Sequence, residues 1–137
     1  MSVIGRSEEE AETLVGAGHH FLEERAKLGK LSSYTEMNAT LERRTGLRGF
    51  DFSMESERTA MGQVLGIITE QDIPTSGVML SSLVSYLDQN DAGPGFYKLA
   101  TRLGLLPAKA SAEVRLDFWA IQVARVHDHY KRTAATP

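Results

Sequence analysis

The chain contains no cysteine. This absence excludes disulfide bonds, thiolate zinc sites and cysteine nucleophiles together. The chain also has no apolar run near the ~20 residues that a membrane-spanning helix needs. Its first residues, Met1 to Arg6, are too few and too polar for a secretory signal peptide. We therefore expect a cytoplasmic protein with no membrane partner.

Recognisable enzyme motifs are also missing. The sequence has no phosphate-binding loop ending in Gly-Lys-Ser/Thr, no Gly-x-Ser-x-Gly elbow and no Glu-x-Lys nuclease element. No residue is marked by its surroundings as a nucleophile or a general base. We therefore expect a protein that is not an enzyme and that uses no cofactor.

The histidines lack the spacing of a metal-binding pair. His19 and His20 diverge by about 100° around a helix, and His127 and His129 diverge by about 200°. The i, i+4 spacing with which two histidines hold one ion on a single helix is absent. A site assembled across helices is the alternative, and it needs several converging ligands. The sequence by itself predicts no metal site.

Charge is present but unevenly spread along the 137 residues, which are 42% hydrophobic and carry a net charge of −3. Residues 1–24 carry one base and six acids, and residues 49–97 carry one base and seven acids. Residues 25–48 carry six bases and two acids, and residues 98–137 carry seven bases and three acids. The blocks indicate either a local basic face on an acidic protein or charges that complement one another across the fold.

Helix-capping patterns divide the first half of the chain. Ser7-Glu8-Glu9-Glu10 is a capping box and predicts a helix over 8–28. Two further capped helices are predicted over Ser33–Thr45, with Gly46 as the stop, and over Ser53–Gln71, ending before Pro74. The next run, Val78–Tyr86, is rich in branched and aromatic residues and predicts a strand.

The second half is predicted to be helical. Gly93-Pro94-Gly95 indicates a tight turn with proline at the first helical position, and an anion site completed by Lys98 is the alternative. A last long helix begins near Ser111. We expect an α+β protein, mostly helical, with a single globular domain over 1–132 and a flexible tail over 133–137. The helix–helix–strand order of the middle segment is typical of a winged-helix-like core with a small β element.

Two segments carry a resemblance to a known family: Gly29–Met37 (GKLSSYTEM) and Met61–Leu65 (MGQVL). Over residues 29–86 the chain resembles the winged-helix portion of DNA alkyltransferases and their alkyltransferase-like relatives. In that family a helix capped by Ser/Thr-Tyr precedes a helix that enters DNA, so the resemblance implies a DNA-binding shape. The reactive Pro-Cys-His-Arg motif is absent, and Val78–Val84 stands in its place. Alkyl transfer is therefore excluded.

Candidate contacts to duplex DNA follow from side-chain chemistry. Arginine and lysine bind phosphates, arginine pairs with guanine, and glutamine pairs with adenine. The carboxylates of Glu55 and Glu57 lie beside Arg58 in the sequence and would repel phosphates there. Arg43 and Arg44 have an alternative role, because cations stabilise the negative end of their own helix. The candidate DNA-binding residues are Lys30, Tyr34, Arg43, Arg44, Arg48, Arg58 and Gln63.

The final helix carries two apolar seams. One seam is formed by Val114, Phe118 and Ile121. If one seam covers the domain, the other is free to meet a partner or a second copy of the chain, although a small domain can also bury both. We expect a homodimer whose interface uses the second seam, which consists of Leu116, Trp119, Val123, Val126 and Tyr130.

The sequence thus favours a non-enzymatic, DNA-associated regulator or accessory protein with a winged-helix-like core. The alternative is a protein-interaction module, an inhibitor or adaptor that acts through an acidic or apolar helical surface.

Overall fold

The computed structural model describes residues 1–87 and 89–135, and this part of the chain is mostly helical with a very small β element. Five α-helices and two short strands are found among the described residues. In chain order they are α1 (Glu8–Leu28), β1 (Ser32–Ser33), α2 (Tyr34–Thr45), α3 (Glu55–Ser76), β2 (Val84–Ser85), α4 (Pro94–Arg102) and α5 (Ala112–Ala135).

The ends of α1 and α2 confirm the capping predictions. The Ser7 hydroxyl accepts a hydrogen bond from the Glu10 N–H at 3.1 Å, and the Glu10 carboxylate accepts one from the Ser7 N–H at 2.8 Å. At α2, the Ser33 hydroxyl accepts a hydrogen bond from the Glu36 N–H at 3.1 Å. Gly46 ends this helix with a φ of 72°, a left-handed conformation that glycine adopts without steric cost.

The predicted bounds of the third helix are wrong at both ends. Met54, rather than Ser53, occupies the N-cap, because the Ser53 hydroxyl and N–H both donate to the Asp51 carboxylate. The helix also continues through Pro74 to Ser76. Pro74 lies in the last turn, where it removes one helical hydrogen bond, and the helix still closes through the bond from the Gly77 N–H to the Ile73 carbonyl at 2.8 Å.

The strand predicted over Val78–Tyr86 is wrong for most of its length. Leu80–Leu83 form a 3-10 turn, and only Val84–Ser85 are extended and paired. Helices, instead of a strand ladder, supply hydrogen-bond partners to part of this buried run, whereas the Ser82 hydroxyl has no partner among the described residues. The Thr69 hydroxyl of α3 donates to the Ser81 hydroxyl at 2.7 Å, and the Trp119 ring N–H of α5 donates to the Ser82 carbonyl at 2.7 Å.

The two strands pair in parallel, with Ser32 opposite Val84 and Ser33 opposite Ser85. Because α2 begins directly after β1, this pairing places the first residue of α2, Tyr34, beside the end of β2. The rings of Tyr34 and Tyr86 are accordingly in edge-to-face contact, 5.0 Å apart.

Helix α1 is central and packs against α2, α3 and α5. Gly18 allows the close approach, since a Cβ there would lie 2.8 Å from both Ile68 Cδ1 and Met37 Cε. The main core joins these helices, and a second apolar cluster joins α4 to the first half of α5. That second cluster consists of Met79, Ala92, Phe96, Tyr97, Leu99, Ala100 and Leu106, with Phe118 and Trp119 packed against it.

The final helix begins where the sequence predicted. The Ser111 hydroxyl accepts a hydrogen bond from the Val114 N–H at 3.2 Å. Helix α5 extends to Ala135 and so includes three of the five residues of the predicted tail 133–137, whereas Thr136 and Pro137 lie outside the described residues. Among the described residues, none of the helices has the length and apolar character needed to cross a membrane.

Candidate functional site: a groove between α3 and α4

A groove of about 610 Å³ lies where α3 faces α4. It runs along α3 from Glu55 in the first turn of the helix to Glu70 in the fifth. Its lining residues are Ser2, Tyr34, Glu55, Arg58, Thr59, Gly62, Gln63, Gly66, Ile67, Glu70, Tyr86, Pro94, Gly95, Lys98, Leu99 and Arg102.

Glycines expose backbone along the groove. Gly62 and Gly66 lie one turn apart in the interior of α3, where each glycine costs roughly 0.5–1 kcal/mol relative to alanine. Packing does not require Gly66, since a Cβ there would meet no atom within 4 Å. A Cβ on Gly62 would make only an ordinary contact, 3.6 Å from the Tyr34 hydroxyl. The two glycines therefore reduce the stability of α3 and leave this part of its backbone exposed in the groove.

Two tyrosines form the aromatic end of the groove. Tyr34 is buried against Phe52 and Tyr86, with ring centroids 5.5 Å and 5.0 Å away. Burial, with a smaller contribution from Tyr86, raises the pKa of Tyr34 to about 12. Tyr86 is half-buried, and Gly93 makes room for its ring, because a Cβ there would lie 2.7 Å from Tyr86 Cδ1. The Tyr34 phenol is therefore neutral near pH 7.

The charged groups of the groove are mixed, with an excess of cations. Arg58, Lys98 and Arg102 line it together with Glu55 and Glu70. Arg102 pairs with Glu70 at 2.5 Å, and Arg58 donates to the Phe52 carbonyl at 2.7 Å. Lys98 is exposed and forms no ion pair within the described part of the chain. The groove thus presents a net positive lining on a chain whose overall charge is −3.

Three of the seven candidate DNA-binding residues meet in this groove: Tyr34, Arg58 and Gln63. Tyr34 begins α2, and the other two project from the first half of α3. The Gln63 side-chain oxygen accepts a hydrogen bond from the Ile4 N–H at 2.8 Å, which fixes its orientation.

The other four candidate residues lie elsewhere. Arg43 and Arg44 border a separate depression between α1 and α2, and Lys30 is exposed after α1. Arg44 pairs with Glu24 at 2.7 Å, an interaction that lowers the pKa of the Glu24 carboxyl. Arg48 pairs at 2.6 Å with Glu57, whose exposed fraction is 6%. Two of these four cations are therefore held by acids of the same chain.

Several groove residues were not among the candidates. From the sequence, Lys98 is considered only as part of the alternative anion site at Gly93-Pro94-Gly95. In the structure, Gly95 and Lys98 both line the groove. Pro94 is the first residue of α4, as predicted. The pair of glycines in α3 could have indicated the groove from the sequence alone, because two glycines one turn apart inside a helix reduce its stability.

The predicted interface seam of α5 packs largely inside the chain. Val126 and Tyr130 are 0% and 7% exposed, and Val123 packs against the main core. Trp119 packs on the second cluster and donates to the Ser82 carbonyl. Leu116, by contrast, is 45% exposed. The fold itself therefore uses four of these five side chains.

Comparisons with protein-family models, with curated proteins and with solved structures found no match to this chain. The resemblance of residues 29–86 to alkyltransferase-like proteins accordingly stays a prediction.

Proposed function

We propose that this chain is a non-enzymatic, DNA-associated regulator or accessory protein that binds duplex DNA along the groove between α3 and α4. The observation that carries the proposal is the combination of backbone exposed at Gly62 and Gly66 with positive charge at Lys98, which pairs with no acid among the residues that the structure describes. Glycines at such positions allow a ligand backbone to approach a helix closely. An excess of cations along the same surface attracts phosphates.

Each part of the groove has a chemical role in this proposal. Lys98 and Arg102 lie on the exposed side of α4 and bind phosphates. Arg58 and Gln63 project from the first half of α3 and contact base edges, which is the chemistry by which these side chains discriminate bases. Tyr86 offers a half-exposed ring for apolar contact with the nucleic acid.

The chain order of the elements supports a winged-helix-like interpretation of this site. Helix α2, helix α3 and strand β2 follow one another, and β1–β2 pairing fixes the start of α2 beside β2. In this arrangement α3 is the helix that enters DNA. The acids Glu55 and Glu70 border the same helix. The proposal therefore requires that the Arg102 guanidinium, which has five N–H donors, contact a phosphate while it keeps its ion pair with Glu70.

A salt titration tests the proposal. Fluorescence anisotropy with a labelled random duplex should show binding that weakens steeply as salt rises from about 50 to about 150 mM, since phosphate contacts release counterions. Gly66→Gln should weaken this binding by placing a side chain in the groove. Gly16→Gln is the matched control, because Gly16, like Gly66, lies inside a helix with no neighbour within 4 Å of its Cβ position. Binding that is insensitive to salt, or equal in both variants, contradicts the proposal.

A second candidate function, a partner or dimer interface, is favoured by one surface of α5. Val114 and Ile121 lie on the same side of the helix, two turns apart, and are 47% and 56% exposed. This surface belongs to the seam opposite the one that packs inward at Val126. Sedimentation analysis of Ile121→Lys tests it, with Ala124→Lys as the control at another exposed α5 position. A dimer that is lost only in Ile121→Lys supports the interface, and a monomeric wild-type chain contradicts it.

A further inference from the structure

A cluster of three metal-ligating side chains lies away from the groove, where α1 faces the end of α3. His19 and Glu23 project from one side of α1, and Asp72 projects from α3. His19 Nε2 lies 3.0 Å from an oxygen of Asp72 and 3.1 Å from an oxygen of Glu23. The three donor atoms all lie within 4.8 Å of one another.

A single proton on His19 Nε2 cannot make a good hydrogen bond to both carboxylates. His19 Nε2 carries at most one hydrogen, yet two carboxylate oxygens face it at nearly equal distances. A metal ion placed between the three donor atoms would be coordinated by all of them. With metal–ligand distances of about 2.0–2.1 Å, neighbouring donors in a tetrahedral site stand about 3.3 Å apart, which is within a few tenths of an ångström of both separations.

The surroundings of Asp72 resemble the outer shell of a metal site. The carboxylate is only 6% exposed. The Tyr130 hydroxyl of α5 donates to the same oxygen that faces His19, and the Ser76 hydroxyl donates to the other oxygen at 2.7 Å. Hydrogen bonds of this kind orient ligating carboxylates. His19 and Glu23 are 25% and 35% exposed, so an ion can reach the cluster from solvent.

We infer that His19, Glu23 and Asp72 form a binding site for a divalent transition metal of the zinc class. One imidazole and two carboxylates match the donors that zinc accepts, and three protein ligands leave a fourth position for water. The bound ion connects α1 to α3. The close packing at Gly18, one residue before His19, brings the two helices into position for it.

Cobalt provides the test, because Co²⁺ has visible absorption bands that report its coordination. The full chain, without an affinity tag, is titrated with Co²⁺ and then with Zn²⁺ as competitor. We expect saturable absorption that Zn²⁺ displaces, and a melting temperature that rises with Zn²⁺. His19→Gln and Glu23→Gln should each weaken binding by at least the ~10-fold that loss of even an outer-shell partner typically costs.

His20 and Glu24 form the matched control. They have the same i, i+4 spacing on the same helix, with 3.3 Å between His20 Nε2 and a Glu24 oxygen, but both side chains are more exposed than those of His19 and Glu23. They are not part of a three-residue cluster in the described part of the chain. Unchanged Co²⁺ binding in His20→Gln supports the assignment. Equal loss in His19→Gln and His20→Gln, or no saturable binding by the wild-type chain, overturns it.

Discussion

The Tyr34 hydroxyl lies 3.6 Å from the point that a Cβ on Gly62 would occupy. The start of α2 and the middle of α3 therefore meet without a side chain between them, and both residues line the groove. One turn further along α3, at Gly66, no atom lies within 4 Å of the corresponding point. The two glycines thus differ in packing but share their exposure to the groove.

Replacing Gly66 with alanine should stabilise the fold while weakening DNA binding. Alanine lowers the cost of the helical conformation by roughly 0.5–1 kcal/mol, and its methyl group meets no neighbour. Urea denaturation measures the first effect, and anisotropy with duplex DNA measures the second. A variant that is stabilised but binds as well as the wild type would show that the open backbone at Gly66 has no role in binding.

Gly16 and Gly18 should respond to alanine with opposite signs, although they lie two residues apart in α1. Gly16→Ala should stabilise by roughly 0.5–1 kcal/mol, because its Cβ position is open. Gly18→Ala should destabilise, because its methyl group meets the ends of the fully buried Ile68 and Met37 side chains. The overpacking cost of about 1–3 kcal/mol should outweigh the same gain in helical propensity. Chemical denaturation of both variants is the measurement. Equal stabilisation would mean that α1 and α3 pack less closely than described.

The high pKa of Tyr34 predicts alkaline destabilisation. A tyrosine with a pKa of about 12 in the folded state and about 10 in the unfolded state contributes stability below pH 10. This contribution is lost as pH rises through 10 towards 12, and about 1.4 kcal/mol of it is lost by pH 11. Urea denaturation at about pH 8 and about pH 11 should show a smaller alkaline loss for Tyr34→Phe than for the wild type. The same loss in both proteins would contradict the burial of this phenol.

Arg48→Gln should reduce the stability of the fold more than it affects DNA binding. The substitution removes the ion-pair partner of Glu57, a carboxylate that is 6% exposed, and should cost about 1–3 kcal/mol. The paired substitution Arg48→Gln/Glu57→Gln should recover part of that loss, which a double-mutant cycle by denaturation measures. If the single variant is as stable as the wild type, the ion pair contributes little, and Arg48 is available for another partner.

Local signals predicted the helix ends well. The capping box at Ser7 and the stop at Gly46 depend on residues within one turn, so the sequence contains all the information that they require. The same logic failed at Ser53, because the Asp51 carboxylate competes for the serine as an equally local partner. Helix caps are predictable only when one hydrogen-bond arrangement is clearly favoured.

Non-local features were harder to predict. The Val78–Tyr86 run has strand-forming residues, but Thr69 and Trp119 of distant helices supply the partners of two of its buried backbone groups. The groove likewise joins Tyr34, Gly66 and Lys98, which are far apart in sequence. In α5 the two seams have similar apolar character, and only the packing against α1 shows which of them faces inward.

Two charge-matched variants decide whether duplex DNA binds in the groove between α3 and α4. Lys98→Gln/Arg102→Gln removes two cations from the groove, and Arg43→Gln/Arg44→Gln removes two cations from α2, outside it. Anisotropy with a random duplex is recorded for both across a salt series. The groove proposal predicts that the first variant loses affinity and that its salt dependence falls by about 2 in log–log slope, as expected for two lost phosphate contacts. Equal losses in both variants, or a larger loss on substitution of Arg43 and Arg44, would contradict it.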